Sequence, residues 1–185
     1  MTRDEAAADG DAAADDEFDA VVYDLDGTLV RLAVDWDAAA RDAVSLFERH
    51  GHDVADADLW GLLERADSAG IRDELESLLG EHEVDGAERA DRLPHADELP
   101  RGVPTGVCSL NCEAACRVAL DRHGLADSVD VVVGRDSVGT YKPDPEPLLA
   151  TLRDLGVPPE HAVFVGDSER DELTANRAGV SFRYV

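Results

Sequence analysis

Phe18-Asp19-Ala20-Val21-Val22-Tyr23-Asp24-Leu25-Asp26-Gly27-Thr28-Leu29-Val30 is the stretch on which the fold turns. Its first half is an apolar run with β-branched and aromatic residues, the profile of a strand buried on both faces. Its second half breaks that run with two carboxylates and a glycine. Period-two geometry aims Asp24 and Asp26 to the same side, and Gly27 lets the backbone turn sharply away. Open α/β sheets bind ligands beyond the carboxyl ends of their strands, so reactive groups belong at this point in the chain. Two carboxylates there can divide the work, one as nucleophile and one as proton donor and acceptor. With this chain's own composition, D-x-D-G-T arises by chance roughly once in a hundred such sequences.

Working outward, four similar strand candidates follow much later, at Thr105–Ser109, Val129–Val133, Ala162–Gly166 and Val180–Val185. Helical stretches alternate with them: Cys112–His123 before Gly124, Glu146–Leu155 before Gly156, and Asp171–Ala178 before Gly179, each glycine standing where a helix C-cap places it. This rhythm predicts an α/β fold, a doubly wound, parallel, five-stranded Rossmann-like sheet with right-handed crossovers. Residues 31–93 break the rhythm. Trp36, Ala40, Ala43, Val44 and Phe47, then Leu59, Leu62, Leu63 and Ala66, then Ile71, Leu75, Leu78 and Leu79 closed by Gly80, make three helical stripes with no strand candidate among them. They predict an all-helical cap, residues 31–93, inserted into a core of residues 18–30 and 94–185, with the proline- and glycine-rich Pro94–Gly106 returning the chain to the sheet.

The charge is lopsided. Among 185 residues there are 42 Asp and Glu against 17 Lys and Arg, a formal net charge of −25. Of the acids 27 are Asp, and of the bases only Lys142 is lysine. A surface this negative repels phosphate backbones and anionic lipid, which excludes unaided nucleic-acid and membrane partners. With 44% hydrophobic residues the chain still builds a core. Asp excess with near-absence of Lys points to a salt-adapted protein, since molar salt shrinks the screening length to about 3 Å. Residues 1–17 carry no apolar leader segment and no periodicity, so a disordered acidic tail and a cytoplasmic location are expected. Cys108, Cys112 and Cys116, odd in number and four apart, form no disulfide framework or complete metal set.

Three further features carry chemistry. Gly166-Asp167-Ser168-Glu169-Arg170-Asp171 follows the strand candidate and precedes a helix. Asp24, Asp26, Asp167 and Asp171 gathered at strand ends need a cation, and hard oxygen donors that retain coordinated water suit Mg²⁺. Taken alone, Asp171 has a second reading as a helix N-terminal carboxylate stabilised by the dipole. Lys142, in Tyr141-Lys142-Pro143-Asp144-Pro145-Glu146-Pro147, is a compact ammonium kept where arginine serves everywhere else, as suits a point charge on a phosphoryl oxygen. Ser109 closes its strand and offers a hydroxyl to an anion.

With these residues in view, the sequence resembles the haloacid-dehalogenase-like hydrolase superfamily, in its phosphoglycolate-phosphatase-like branch with a helical cap. VVYDLDGTLV is similar to that family's first motif, VCS to the second, YKPDPEPL to the third and VFVGDSERDELTANRAGV to the fourth, covering Phe18 to Val185. The resemblance implies a phosphatase in which Asp24 attacks phosphorus to form an aspartyl-phosphate. Asp26 would protonate the leaving oxygen and then deprotonate the hydrolytic water. Ser109 and Lys142 would hold phosphoryl oxygens. Asp24, the Asp26 backbone carbonyl and Asp167 would bind Mg²⁺, with Asp171 nearby through water. Members of the branch usually carry Asn directly after the second-motif Ser or Thr; here Leu110 stands there and Asn111 comes one later. The expected partner is a small phosphorylated metabolite. A phosphomutase using the same residues, and a silent binding protein, stay as alternatives, whereas Asp26 argues against dehalogenation. Arg31, Arg65 and Arg72 are candidate contacts for a substrate carboxylate or partners of neighbouring acids. Oligomeric state is not readable from the sequence.

Overall fold

The computed structural model describes residues 18–54 and 57–185. The expected acidic tail lies outside the described residues. Five strands form one wholly parallel sheet: β1 (Ala20–Tyr23), β4 (Thr105–Cys108), β5 (Val131–Val133), β6 (Ala162–Gly166) and β7 (Ser181–Tyr184), in the order β5-β4-β1-β6-β7. The chain winds outward from β1 through β4 to β5, then returns to β6 and winds the other way. The topological switch therefore falls at β1, the strand that ends in Asp24.

Alternation along β1 explains why the sheet is covered on both faces. Val21 and Tyr23 point into one apolar cluster, with Val107, Val163, Val165 and residues Cys116, Ala119 and Leu120 of helix α4 (Glu113–Arg122). Ala20 and Val22 point into the other, with Phe164 and residues of α5 (Glu146–Leu155) and α6 (Glu169–Ala178). Gly156 and Gly179 cap α5 and α6 in left-handed conformation, as their positions predict. β6 and α5 have the expected bounds, the other strands and α4 are one to three residues shorter, and α6 starts two residues before Asp171. Ser168 caps it there, with its side chain accepting from the Asp171 amide while the Asp171 carboxylate accepts from Ser168.

Between β1 and β4 come α1 (Trp36–Arg49), α2 (Leu59–Ala69) and α3 (Arg72–Ala87), packed around a core of their own that includes Phe47, Leu62, Leu63, Leu75 and Leu79. Two details differ from the sequence reading. Gly80 does not stop the third helix, which runs seven residues on to Ala87; Gly80 lies against the Cys112 sulfur, 3.6 Å from where a Cβ would stand. The true breaker is Gly70, the left-handed cap of α2. The interval also contains strand: β2 (Val30–Arg31) pairs antiparallel with β3 (Asp91–Arg92), so the chain enters and leaves the helical block side by side. Two residues are too few to show a period, which is why the pattern concealed them. Among the described residues no helix is long and apolar enough to cross a membrane.

Leu75 is fully buried within the helical block. Leu75→Ala is expected to lower the unfolding free energy by about 2–5 kcal/mol in denaturant titrations, through lost burial and the cavity it leaves.

Candidate active site

Beyond β1 the chain turns on one carbonyl: the amides of Thr28, Leu29 and Val30 all donate to the Leu25 oxygen, at 3.2, 2.9 and 3.0 Å. Gly27 makes this possible at φ +92°, and a Cβ there would stand 2.2 Å from Oδ2 of Asp167. The glycine thus lets the first acidic loop touch the fourth-motif aspartate. The Asp24 amide donates to the Val165 oxygen of β6 at 2.8 Å, fixing its carboxylate over the switch point.

Lys142 lies in the loop between β5 and α5, 1% exposed. Its Nζ is 2.8 Å from Oδ1 of Asp24 and 2.5 Å from Oδ1 of Asp171, and 5.3 Å from the Phe164 ring centre. Burial alone would lower the affinity of that ammonium for its proton, but the two carboxylates more than offset this and push it up. Burial pushes the Asp24 carboxyl up to about 7, with Asp171 adding to the rise and Lys142 opposing it. The ammonium is thus secure near neutrality, and the Asp24 carboxyl carries the desolvation cost. Asp171 is 1% exposed and fully engaged, one oxygen on Lys142 and the other accepting from the Ser168 hydroxyl and amide at 2.5 and 3.2 Å. It is both the helix-terminal carboxylate and part of the cluster.

Asp26 points elsewhere. Its Oδ1 accepts from the Leu32 amide at 2.8 Å, just past β2. Burial raises its carboxyl, against the lowering effect of that amide. Asp167 is exposed, and its carboxyl is raised by partial burial and by the Asp171 charge.

Asp24, Asp26, Lys142, Asp167 and Asp171 all line one cavity of about 450 Å³. Its opposite wall comes from the helical block, with Trp36, Leu59, Trp60, Leu63 and Leu79. Ser109 is not part of that lining. It is 2% exposed and its hydroxyl donates to Oδ1 of Asn111 at 3.1 Å, while the Asn111 amide donates back to Ser109 Oγ at 3.2 Å. Leu110 and Asn111 face the cavity instead. Arg72 is taken by Asp67 and Glu76 and lies over Tyr141, and Arg31 and Arg65 are exposed residues outside the lining. Arg135 and Glu83 also border the cavity and belong to none of the motifs above; the signal the sequence offers for Arg135 is Gly134-Arg135-Asp136 at another strand's carboxyl end. The three cysteines are free and buried.

For a divalent cation the donor chemistry fits. Oxygens of Asp24, Asp167 and Asp171 lie within 4.8 Å of one another, and three hard carboxylates face a single ammonium. The Asp26 carboxylate is not among the three.

Comparison with known proteins places this sheet and its acidic cavity in a class of hydrolases. The profile of haloacid dehalogenase-like hydrolases matches residues 18–179, and the chain belongs to that family. It is similar to a phosphoglycolate phosphatase of Rhodospirillum rubrum, 36% identical across 87% of this chain and 76% of that one. It is similar to an N-acetylmuramic acid 6-phosphate phosphatase of Pseudomonas aeruginosa, 31% identical across 86% of this chain and 78% of that one. A solved structure of a putative phosphoglycolate phosphatase from Lactobacillus plantarum shares the fold, with TM-score 0.66 at 22% identity over 90% of this chain and 86% of that one. Within the family, this protein is a phosphatase.

A methyl at Gly27 would collide with Asp167 and hold a strained φ. Gly27→Ala is therefore expected to cut phosphatase turnover about 10²-fold in steady-state kinetics, while thermal melts still show a folded protein.

Proposed function

We propose that this phosphatase hydrolyses a small phosphorylated metabolite through an aspartyl-phosphate, with Mg²⁺ as its cofactor. The observation that carries the reading is the bridge from Lys142 to Asp24 and Asp171 on the cavity floor, with Asp26 two residues from the nucleophile.

In this mechanism Asp24 Oδ attacks phosphorus, forming the acyl-phosphate bond as the ester P–O bond breaks, and Asp26 gives its proton to the departing alcohol oxygen. Asp26 then takes a proton from water as that water attacks phosphorus, which frees inorganic phosphate and restores Asp24. A carboxyl raised by burial suits the acid's part. Lys142 orients Asp24 and offsets charge at the phosphoryl group. Asp24, the Asp26 carbonyl and Asp167 would hold Mg²⁺, and Asp171, its oxygens already occupied, would support the site from outside. The bound ion supplies electrophilic charge stabilisation at the phosphoryl oxygens. Ser109 would contribute its hydroxyl after a turn about χ1, with Asn111 beside it at the cavity wall. Residues 31–93 act as the cap that excludes water and selects the leaving group. The names of the relatives put 2-phosphoglycolate first in a substrate panel. The acidic surface favours assays at molar KCl and a salt-rich cytoplasm as the working environment.

Asp24→Asn should abolish phosphate release, by on the order of 10³-fold or more, in a colorimetric assay with Mg²⁺ and molar KCl; unchanged release would refute the mechanism. Stoichiometric free phosphate, rather than a positional isomer of the substrate, separates hydrolysis from mutase chemistry. Because protonation of Asp24 competes with a cation, Mg²⁺ affinity should weaken as pH falls below about 7, by up to about tenfold per unit, in calorimetric titrations.

A further inference from the structure

We infer that Arg135 is a positioning residue: together with Glu83 of α3 it sets the conformation of the Ser109–Cys112 loop at the phosphoryl-binding end of the cavity. What the loop does rests on the phosphatase reading above; how it is held does not.

Arg135 follows β5 and is 2% exposed. Its Nη1 donates to Oε1 of Glu83 at 2.5 Å and to the Leu110 carbonyl at 2.8 Å, and its Nε donates to Glu76 at 2.8 Å. Its backbone amide donates to the Asn111 carbonyl at 2.9 Å. Glu83, fully buried, uses its second oxygen to accept from the Cys112 amide at 2.7 Å. Three successive residues of the loop are thus held at the backbone by one arginine and one glutamate from two other elements. Gly134 lets them approach, since a Cβ there would stand 2.3 Å from the Glu113 nitrogen and 2.8 Å from the Asn111 oxygen. The loop that departs from the family's usual sequence, with Leu110 in the polar position, is the loop so clamped.

Stability alone is a poor reason for the arrangement. A buried ion pair is commonly matched or exceeded by apolar side chains of similar volume. Here one guanidinium faces two carboxylates, and its Nη2 is buried with no hydrogen-bond partner, which adds a desolvation cost. Geometry is what the cluster secures. The Glu83 carboxylate also ties the helical block to the loop, so the cap and the phosphoryl-binding end share one anchor.

The test compares wild type, Arg135→Ala, Arg135→Lys and the double variant Glu83→Leu with Arg135→Leu, the last chosen because apolar replacement of a whole buried ion pair is commonly tolerated. Each is melted, assayed on p-nitrophenyl phosphate and on alkyl phosphates with different leaving groups, and titrated with inorganic phosphate. The expected result is a folded double variant whose KM for every ester, and whose phosphate dissociation constant, rise alike by about tenfold, with kcat changed less and Arg135→Lys intermediate. Wild-type phosphate affinity in a folded Arg135→Ala or double variant overturns the inference. So do losses that differ from ester to ester, which would make Arg135 a leaving-group contact, and so does failure of both variants to fold. A wild type that binds phosphate but hydrolyses no ester defeats the phosphatase reading instead, and the phosphate titrations still decide the role of Arg135.

Discussion

An ammonium buried between two carboxylates is the constraint on which the site depends. Lys142 comes from the loop after β5, Asp24 from the end of β1, and Asp171 from the first turn of α6. Each group would be costly alone at this depth of burial, and removing one partner of a buried ion pair typically costs about 3–5 kcal/mol because the other charge is left uncompensated. The three therefore fix one another, and with them the mutual placement of two strand ends and a helix. Asp171 extends this through its reciprocal bonds with Ser168, so the cap of α6 and the charge balance of the cavity are one device. The overall charge of −25 has little bearing here. At this spot the local environment, not the surface, decides which groups are ionised.

Much of this was legible in the sequence because it follows from short-range rules. The Phe18–Val30 stretch announces a buried strand ending in two acids, and the glycines at 156 and 179 stop helices where they stand. The five-stranded sheet follows from alternation alone. What escaped depends on contacts between distant parts. Gly80 looked like a stop but sits inside a sixteen-residue helix that tertiary packing carries past it. The β2–β3 ribbon is two residues deep, below any periodic signal. Arg135 and Glu83 are 52 residues apart, and no local pattern joins them. Ser109 directly follows β4, yet its hydroxyl faces Asn111, a rotamer matter that spacing does not determine.

Arginine does in this protein what lysine could not. Arg170 stacks 4.0 Å from the Trp60 ring, joining α6 to α2 at the cavity wall, and Arg72 lies 5.5 Å from the Tyr141 ring in the loop that carries Lys142. With Arg135 on Glu76 and Glu83, three planar cations bridge the helical block and the sheet domain. A guanidinium covers an aromatic face and forks across carboxylates in ways a compact ammonium does not. The division of labour is clean: flat cations for surfaces that meet, one point charge between the two buried carboxylates.

That single point charge has a practical side. Its amine is 1% exposed and is the only lysine amine in the chain. An acylating reagent meets no lysine on the folded protein, and modification at Lys142 has to wait until the cavity floor opens. The rate of acylation at Lys142, followed by peptide mass, is a built-in clock for opening of the cavity floor, with no probe to engineer and no other lysine to subtract.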